Sequence, residues 1–524
     1  MPSADRRRSL CFSLCGWRAV VPCWLAVVPC WLSTVDAPAR AASLRLTVTD
    51  QKTGKPIPFR MHLKNKAGRP KKPLRAPFWR DHFVSEGNCE LKLTPGVYTF
   101  EIERGPEYLT QSGHFVLSRD SEDEKTVPMR RFVNMAELGW YAGDLHVHRP
   151  VKDVPLLMRA EDLYVCPVIT WWNKRNEWSS KKPPENPLVR FDVKRFYHPL
   201  AGEDERGGGA LLYFNLKQPL EIQNAEREFP SSMKFLQEAA QQSGAWIDIE
   251  KPFWWDVPLW LASGKCDSIG LANNHMCRDQ MLANEAWGKP RDKNKFPGNM
   301  GNGFWTQEIY AHIINCGIHL PPSAGSASGV LPNPVGYNRV YVHVDGEFTH
   351  EKWWSGLKAG RCFVTNGPML RVKANGELPG TVFTAGSGRE MVFKCGVALS
   401  TRDKIRYLEV VKNGETIHTI PLTEFAKQGG RLPELTFRES GWFLIRAVAD
   451  NPKTFRFAST APFYVRFDGK DRVSKKSTQF FLDWIDERVA GLKLDDPEQR
   501  KAVLARWEVA RKFWENLHRN ANAE

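Results

Sequence analysis

Gly139-Trp140-Tyr141-Ala142-Gly143-Asp144-Leu145-His146-Val147-His148 is a β-prone run that ends in two histidines one residue apart. Residues two apart on a strand point to the same side, so the imidazoles of His146 and His148 can converge on one ion. Neutral imidazole is a ligand for zinc and also serves manganese or iron. A lone H-x-H pair is often only two surface residues, and here its position adds weight. Across 136–367 short β-prone runs (140–146, 163–171, 210–216, 245–249, 268–272 and 339–344) alternate with longer, partly helical connections. Within 231–242 the apolar residues Met233, Phe235, Leu236 and Ala239 have helical spacing, and a helix near 352–359 stops at Gly360. Repeated βα units predict an α/β domain with a mainly parallel sheet, closed into a distorted barrel. The histidine pair ends the first strand of that domain, at the rim where active sites of such barrels collect.

The rhythm changes on both sides. Over 42–135, Leu44, Leu46 and Val48 alternate, and alternation resumes at Leu91 and Leu93, which predicts a β-sandwich. The opening Asp50-Gln51-Lys52-Thr53-Gly54-Lys55-Pro56-Ile57-Pro58, with the later Leu93-Thr94-Pro95-Gly96-Val97-Tyr98, resembles the carboxypeptidase-regulatory-like sandwich; no chemistry is assigned to it. Residues 368–468 return to alternation, with an Asn413-Gly414 hairpin signal, and form a second expected sandwich. The 469–524 tail is expected to be helical. Asp496-Pro497 gives a cap and first-turn proline, and Val503, Trp507, Ala510, Trp514 and Leu517 form a stripe expected to pack on the body of the protein.

The start of the chain indicates export. Arg6, Arg7 and Arg8 precede an apolar run, and Ala39-Arg40-Ala41 has the small-x-small form of a cleavage site, so 1–41 reads as a signal peptide. The expected mature protein is secreted or periplasmic and has no membrane span. Loss of the five basic and two acidic residues of 1–41 lowers the net charge from +15 to +12. That surplus suits a substrate with anionic character. No recognition-helix pattern accompanies it, so nucleic acid is not expected as a partner. The basic cluster Lys64, Lys66, Arg69, Lys71, Lys72 and Arg75 is broken by prolines and reads first as a solvated loop. Cys89, Cys166, Cys266, Cys277, Cys316, Cys362 and Cys395 are scattered and contain no C-x-x-C pair, so no disulfide framework or zinc knuckle is indicated.

Two motifs carry a family resemblance. The segment 139–148 resembles the opening motif of PHP-type metal-dependent hydrolases of the CehA/McbA branch. Leu357-Lys358-Ala359-Gly360-Arg361-Cys362-Phe363-Val364-Thr365-Asn366-Gly367-Pro368 resembles that family's closing motif, after which a sandwich follows. The resemblance implies a seven-stranded β/α barrel, divalent metal ions and hydrolysis of an ester-like bond. Departures thin the metal site. The family's "T-D-H-N" is Thr170-Trp171-Trp172-Asn173 here, a further histidine is replaced around Asn215, and "H-P" is Lys251-Pro252. Its "G-S-D-x-H" becomes Gly325-Ser326-Ala327-Ser328-Gly329, which loses two ligands.

What is left supports one divalent ion, zinc or manganese, held by His146 and His148 with Glu203, Glu250 or His275. Asp144 is the candidate that orients a ligand imidazole, while Lys251 and Arg339 are candidates to steady an anionic group in the transition state. Trp172, Asn173, Asn274 and Ser326 are candidate substrate contacts, Trp172 because it stands near a position where the family keeps a histidine. The ten tryptophans from Trp140 to Trp305 belong mostly to packing, and their faces also suit sugar or aromatic ligands. Three readings stay open. The first is a secreted hydrolase of ester, phosphoester, carbamate or sugar-linked substrates with a reduced metal site. The second is a non-catalytic secreted protein that binds a small molecule or glycan, and the third is a structural surface protein.

Overall fold

Seven strand segments close into a ring at the centre of the chain: β1 (Trp140–Gly143), β2 (Val165–Trp172), β3 (Phe196–Arg206), β4 (Gly209–Phe214), β5 (Trp246–Ile249), β6 (Ser268–Ala272) and β7 (Pro322–Ala324). The computed structural model describes residues 42–524, and the export signal expected over 1–41 lies outside the described residues. Pairing is parallel for β1–β2, β2–β3, β5–β6 and β6–β7. The ring is completed beyond the end of β1, where Leu145 N donates to Ala324 O at 3.0 Å and Val147 bridges both Val168 and Ser328. The sheet is less parallel than the sequence rhythm suggests, because β3–β4 and β4–β5 are antiparallel. Gly207-Gly208 makes a two-residue turn between β3 and β4, and so short a link can join only antiparallel strands.

β4 is buried along its whole length, as an apolar run inside a covered sheet must be. The helix Met233–Ala240 falls within the stretch read as helical, and His350–Lys358 ends just before Gly360. A third helix, Gly301–Asn315, has no clear apolar stripe because it is buried on nearly every side.

The first module buries Leu44, Leu46, Val48, Phe59, Met61, Leu63, Leu91 and Tyr98 between a three-stranded and a five-stranded sheet. Past the barrel, β8 (Arg339–His343) lies antiparallel to β1 and to β9 (Cys362–Thr365), and β9 pairs with Phe457–Thr460. Hydrogen bonds therefore run from the ring into the sheet of the last β module, across the boundary drawn at 367/368. That module packs Leu370, Val372, Phe393, Leu408, Phe443 and Ile445, and its Asn413-Gly414 turn has positive φ at both residues, 52° and 91°.

The tail holds two helices, Lys475–Ala490 and Pro497–Arg519. Asp496 caps the second through Gln499 N, and Val503, Trp507, Ala510 and Trp514 are buried against the body. Trp514 Nε1 donates to Pro258 O at 2.9 Å, and the Phe481 and Trp514 rings stack 4.4 Å apart. All seven cysteines among the described residues are unpaired. No helix among these residues is long and apolar enough to cross a membrane.

Candidate metal centre

His146 and His148 lie just beyond β1, in a segment held on both sides by backbone hydrogen bonds. Ile169 N donates to Val147 O and His148 N to Ser328 O, each at 2.8 Å. Val147 is fully buried, so its two neighbours turn to the other side together. Gly325 and Gly329 permit this closeness. A Cβ at Gly325 would overlap the His146 Cβ, and one at Gly329, whose φ is 103°, would overlap the His148 carbonyl.

The two Nε2 atoms stand 3.0 Å apart. Glu203, near the end of β3, places Oε2 3.5 Å from His146 Nε2 and 3.2 Å from His148 Nε2. Around a tetrahedral ion with ligand bonds of about 2.0–2.1 Å, neighbouring ligand atoms sit about 3.3 Å apart. The three separations bracket that value. Glu203 Oε2 is also buried without a hydrogen-bond partner. Two imidazoles and a carboxylate facing one point, with an orphaned oxygen among them, fit a divalent ion with an open position. The described residues thus contain a buried group able to hold a metal ion.

Glu250 plays a different part from Glu203. Its Oε1 lies 3.4 Å from His146 Nδ1, the nitrogen facing away from the convergence point, while Oε2 accepts from Lys251 Nζ and, at 2.8 Å, from Trp254 Nε1. Burial alone would lower the His146 pKa, but Glu203 and Glu250 reverse this and raise it to about 10. His148 is held below its usual value by burial. Glu203 is kept ionised, because the histidines outweigh its burial. Burial, with the charge of Glu203, pushes Glu205 up to about 7.

The remaining sequence candidates divide by what they touch. Asp144, expected to orient an imidazole, touches no imidazole. Its Oδ1 accepts from His146 N (3.1 Å) and Ser326 N (3.0 Å), and its Oδ2 from Gly336 N (2.6 Å) and Ser326 Oγ (2.5 Å). Ser326 is fully buried and spends its hydroxyl on that latch, so it offers nothing to a substrate. Arg339 is not brought to the cluster, since it donates to Gly336 O and Glu161 O and pairs with the Glu161 carboxylate at 3.7 Å. Lys251 is close by, but its ammonium is engaged by Glu250 and lies over the Trp254 ring. His275 stands outside the converging atoms, with Nδ1 on Asn284 O at 2.9 Å and its ring 5.5 Å from Phe253. Trp172 packs 5.2 Å from the His148 ring, and Asn173 accepts from Glu205 N instead of facing the cluster. Asn274 is buried, with Oδ1 unpartnered.

No family model matches the chain, and no curated protein does. Among solved structures, the Bacillus anthracis TIE protein is similar at 18% identity and a TM-score of 0.15, over 22% of this chain and 20% of that one. A likeness of that size carries no argument about fold or function.

Two residues of the site escaped the sequence reading. Glu205 lies two positions beyond Glu203 on β3, on the same face, and its Oε2 accepts from Trp172 Nε1 at 3.0 Å. The cue was the i, i+2 spacing along the strand, which turns both carboxylates to one side. Trp254, which fixes Glu250, lies in a loop whose return to the barrel mouth no local pattern announces.

Proposed function

We propose that this chain is an exported metal-dependent hydrolase of the PHP type, similar to the CehA/McbA branch, acting on ester, phosphoester, carbamate or sugar-linked substrates. The observation that carries this reading is the convergence of His146 Nε2, His148 Nε2 and Glu203 Oε2 at tetrahedral spacing, at the rim of a closed strand ring. A zinc or manganese ion held by these three would supply Lewis acidity and lower the pKa of a bound water to about 7. The chain's own residues build the surroundings. Glu250 steadies the far nitrogen of His146, and Lys251 and Trp254 fix Glu250. Asp144 and Ser326 lock the backbone that presents both histidines. Trp172 packs beside the His148 ring, where an apolar or sugar portion of a substrate would rest. Burial of the cluster keeps bulk water away from the reacting bond.

One observation favours the second reading, a secreted ligand-binding protein on the same barrel. Only three donor atoms converge, and Lys251 and Arg339 are both engaged elsewhere. Metal analysis of full-length protein and of the His146→Ala/His148→Ala variant, with hydrolysis assays on model esters and phosphoesters, separates the two. The hydrolase reading expects bound or acquired metal, loss of metal and hydrolysis in the variant, and unchanged β-sheet circular dichroism. Ligand affinity that ignores chelator and the double substitution but disappears in Trp172→Ala would establish the binding reading instead.

A further inference from the structure

The first β module repeats the imidazole geometry of the barrel site. His62, on the strand Phe59–Asn65, lies directly opposite His82, on His82–Ser85, in an antiparallel pair, so both side chains leave the same face. Their ring centroids are 5.1 Å apart with planes tilted 45°, against 5.0 Å and 49° for His146 and His148. Asp81, in the tight Arg80-Asp81 turn before His82, supplies the carboxylate: Oδ2 lies 3.0 Å from His62 Nδ1 and Oδ1 lies 3.2 Å from His82 Nδ1. Each imidazole thus faces one oxygen of the same carboxylate, and the three residues can offer one ligand atom apiece within 4.8 Å of one another.

Two features separate the group from an ordinary hydrogen-bonded triad. His62 is 6% exposed, and neither of its ring nitrogens has a hydrogen-bond partner, although Asp81 Oδ2 lies so near. The carboxylate oxygen therefore approaches without lying where an N–H would point. The group also keeps a way out, because Asp81 is 27% exposed at its side chain, which leaves room for water as a fourth ligand. Lys64 Nζ, 3.5 Å from Asp81 Oδ2 on a side chain 42% exposed, is a cation that competes for the carboxylate. The neighbouring Arg60 and Arg278 are paired with Glu101, Glu103 and Glu161.

We propose that His62, Asp81 and His82 form a second divalent-cation site, structural in role and suited to zinc. Its place in the fold gives it a task. The hairpin that carries Asp81 and His82 also carries Trp79, whose Nε1 donates to Leu331 O at 2.7 Å and whose ring lies under the Arg149 guanidinium at 5.6 Å. Arg149 follows His148, and Leu331 bridges Ser328, the residue that fixes the His148 backbone. A cation that fastens the hairpin therefore braces the barrel segment that presents the histidine pair.

The test is calorimetric titration of the full chain with zinc alone, with thermal unfolding followed in parallel. The wild type should take up two equivalents. His62→Gln/His82→Gln and His146→Ala/His148→Ala should each lose one of them, and a different one. Asp81→Asn, which keeps the shape of the turn, should lose the same equivalent as the His62/His82 variant while its circular dichroism matches wild type. Lys64→Ala should tighten that equivalent. Zinc should raise the unfolding temperature of the His146/His148 variant and lose that effect once Asp81→Asn is added. A wild type that takes a single equivalent, kept by the His62/His82 and Asp81 variants, overturns the proposal and leaves a hydrogen-bonded triad only. Two equivalents that both survive Asp81→Asn overturn it as well. Failure of the barrel site would show as loss of the other equivalent and leaves this result untouched.

Discussion

Replacing Asp144 by asparagine tests whether this residue braces the histidine segment or takes part in chemistry. The carboxylate accepts four hydrogen bonds, three from backbone N–H groups and one from Ser326 Oγ, and it is fully buried. Asparagine keeps a carbonyl oxygen toward His146 N and Ser326 N. Its amide nitrogen must then face Gly336 N, which donates at 2.6 Å in the wild type, while Ser326 Oγ can rotate and accept. One hydrogen bond to a charged acceptor, worth about 1.5–3 kcal/mol, is lost, and a buried N–H is left facing another donor. We expect a destabilisation of about 3 kcal/mol in guanidinium unfolding followed by tryptophan fluorescence. Ser326→Ala, which removes only the hydroxyl, should cost less, about 1–2 kcal/mol. Metal affinity of Asp144→Asn should fall only through misplacement of the histidine backbone. Stability within about 0.5 kcal/mol of wild type, the range of an inconsequential surface change, together with abolished hydrolysis would refute the bracing argument and return Asp144 to the chemistry.

The buried His198 gives a pH test. Burial lowers its pKa to about 3, so the folded protein keeps it neutral while the unfolded chain takes a proton below about 6.5. Its contribution to stability is therefore constant above about pH 6.5 and falls as pH drops toward 4. Whatever His198→Gln costs at neutral pH, its stability relative to wild type should climb by about 1.4 kcal/mol for each unit below that point, as measured by denaturant titrations at stepped pH. A relative stability that stays flat with pH would mean that His198 is protonated in the fold. Export is checked by mass spectrometry of protein recovered outside the cytoplasm, where the amino terminus should lie near Ala42 and intact residues 1–41 would contradict the signal reading.

The sequence by itself determined the local grammar. Alternation at Leu44, Leu46 and Val48, positive-φ residues at Asn413-Gly414, the Asp496-Pro497 cap and the stripe Val503, Trp507, Ala510 and Trp514 all act through neighbours a few residues away, and each became the element expected. The pairing of His146 with His148 was legible for the same reason, since an i, i+2 spacing on an extended segment decides which side a residue faces. Only the tertiary structure decided which carboxylate meets them. Glu203 and Glu250 look alike in sequence, but one points at the Nε2 atoms and the other at His146 Nδ1, and that difference is set by how the strands carrying them close on the histidine segment. It also turned Asp144, Ser326 and Arg339 from candidate chemistry into scaffolding, through hydrogen bonds that span more than 170 residues of chain. The His62–Asp81–His82 group gave no sequence signal as a site, since its geometry arises from a cross-strand register that places residues twenty apart side by side. Spacing along the chain fixes direction, whereas distance between side chains is set by how strands close on one another, and that is a property of the whole fold.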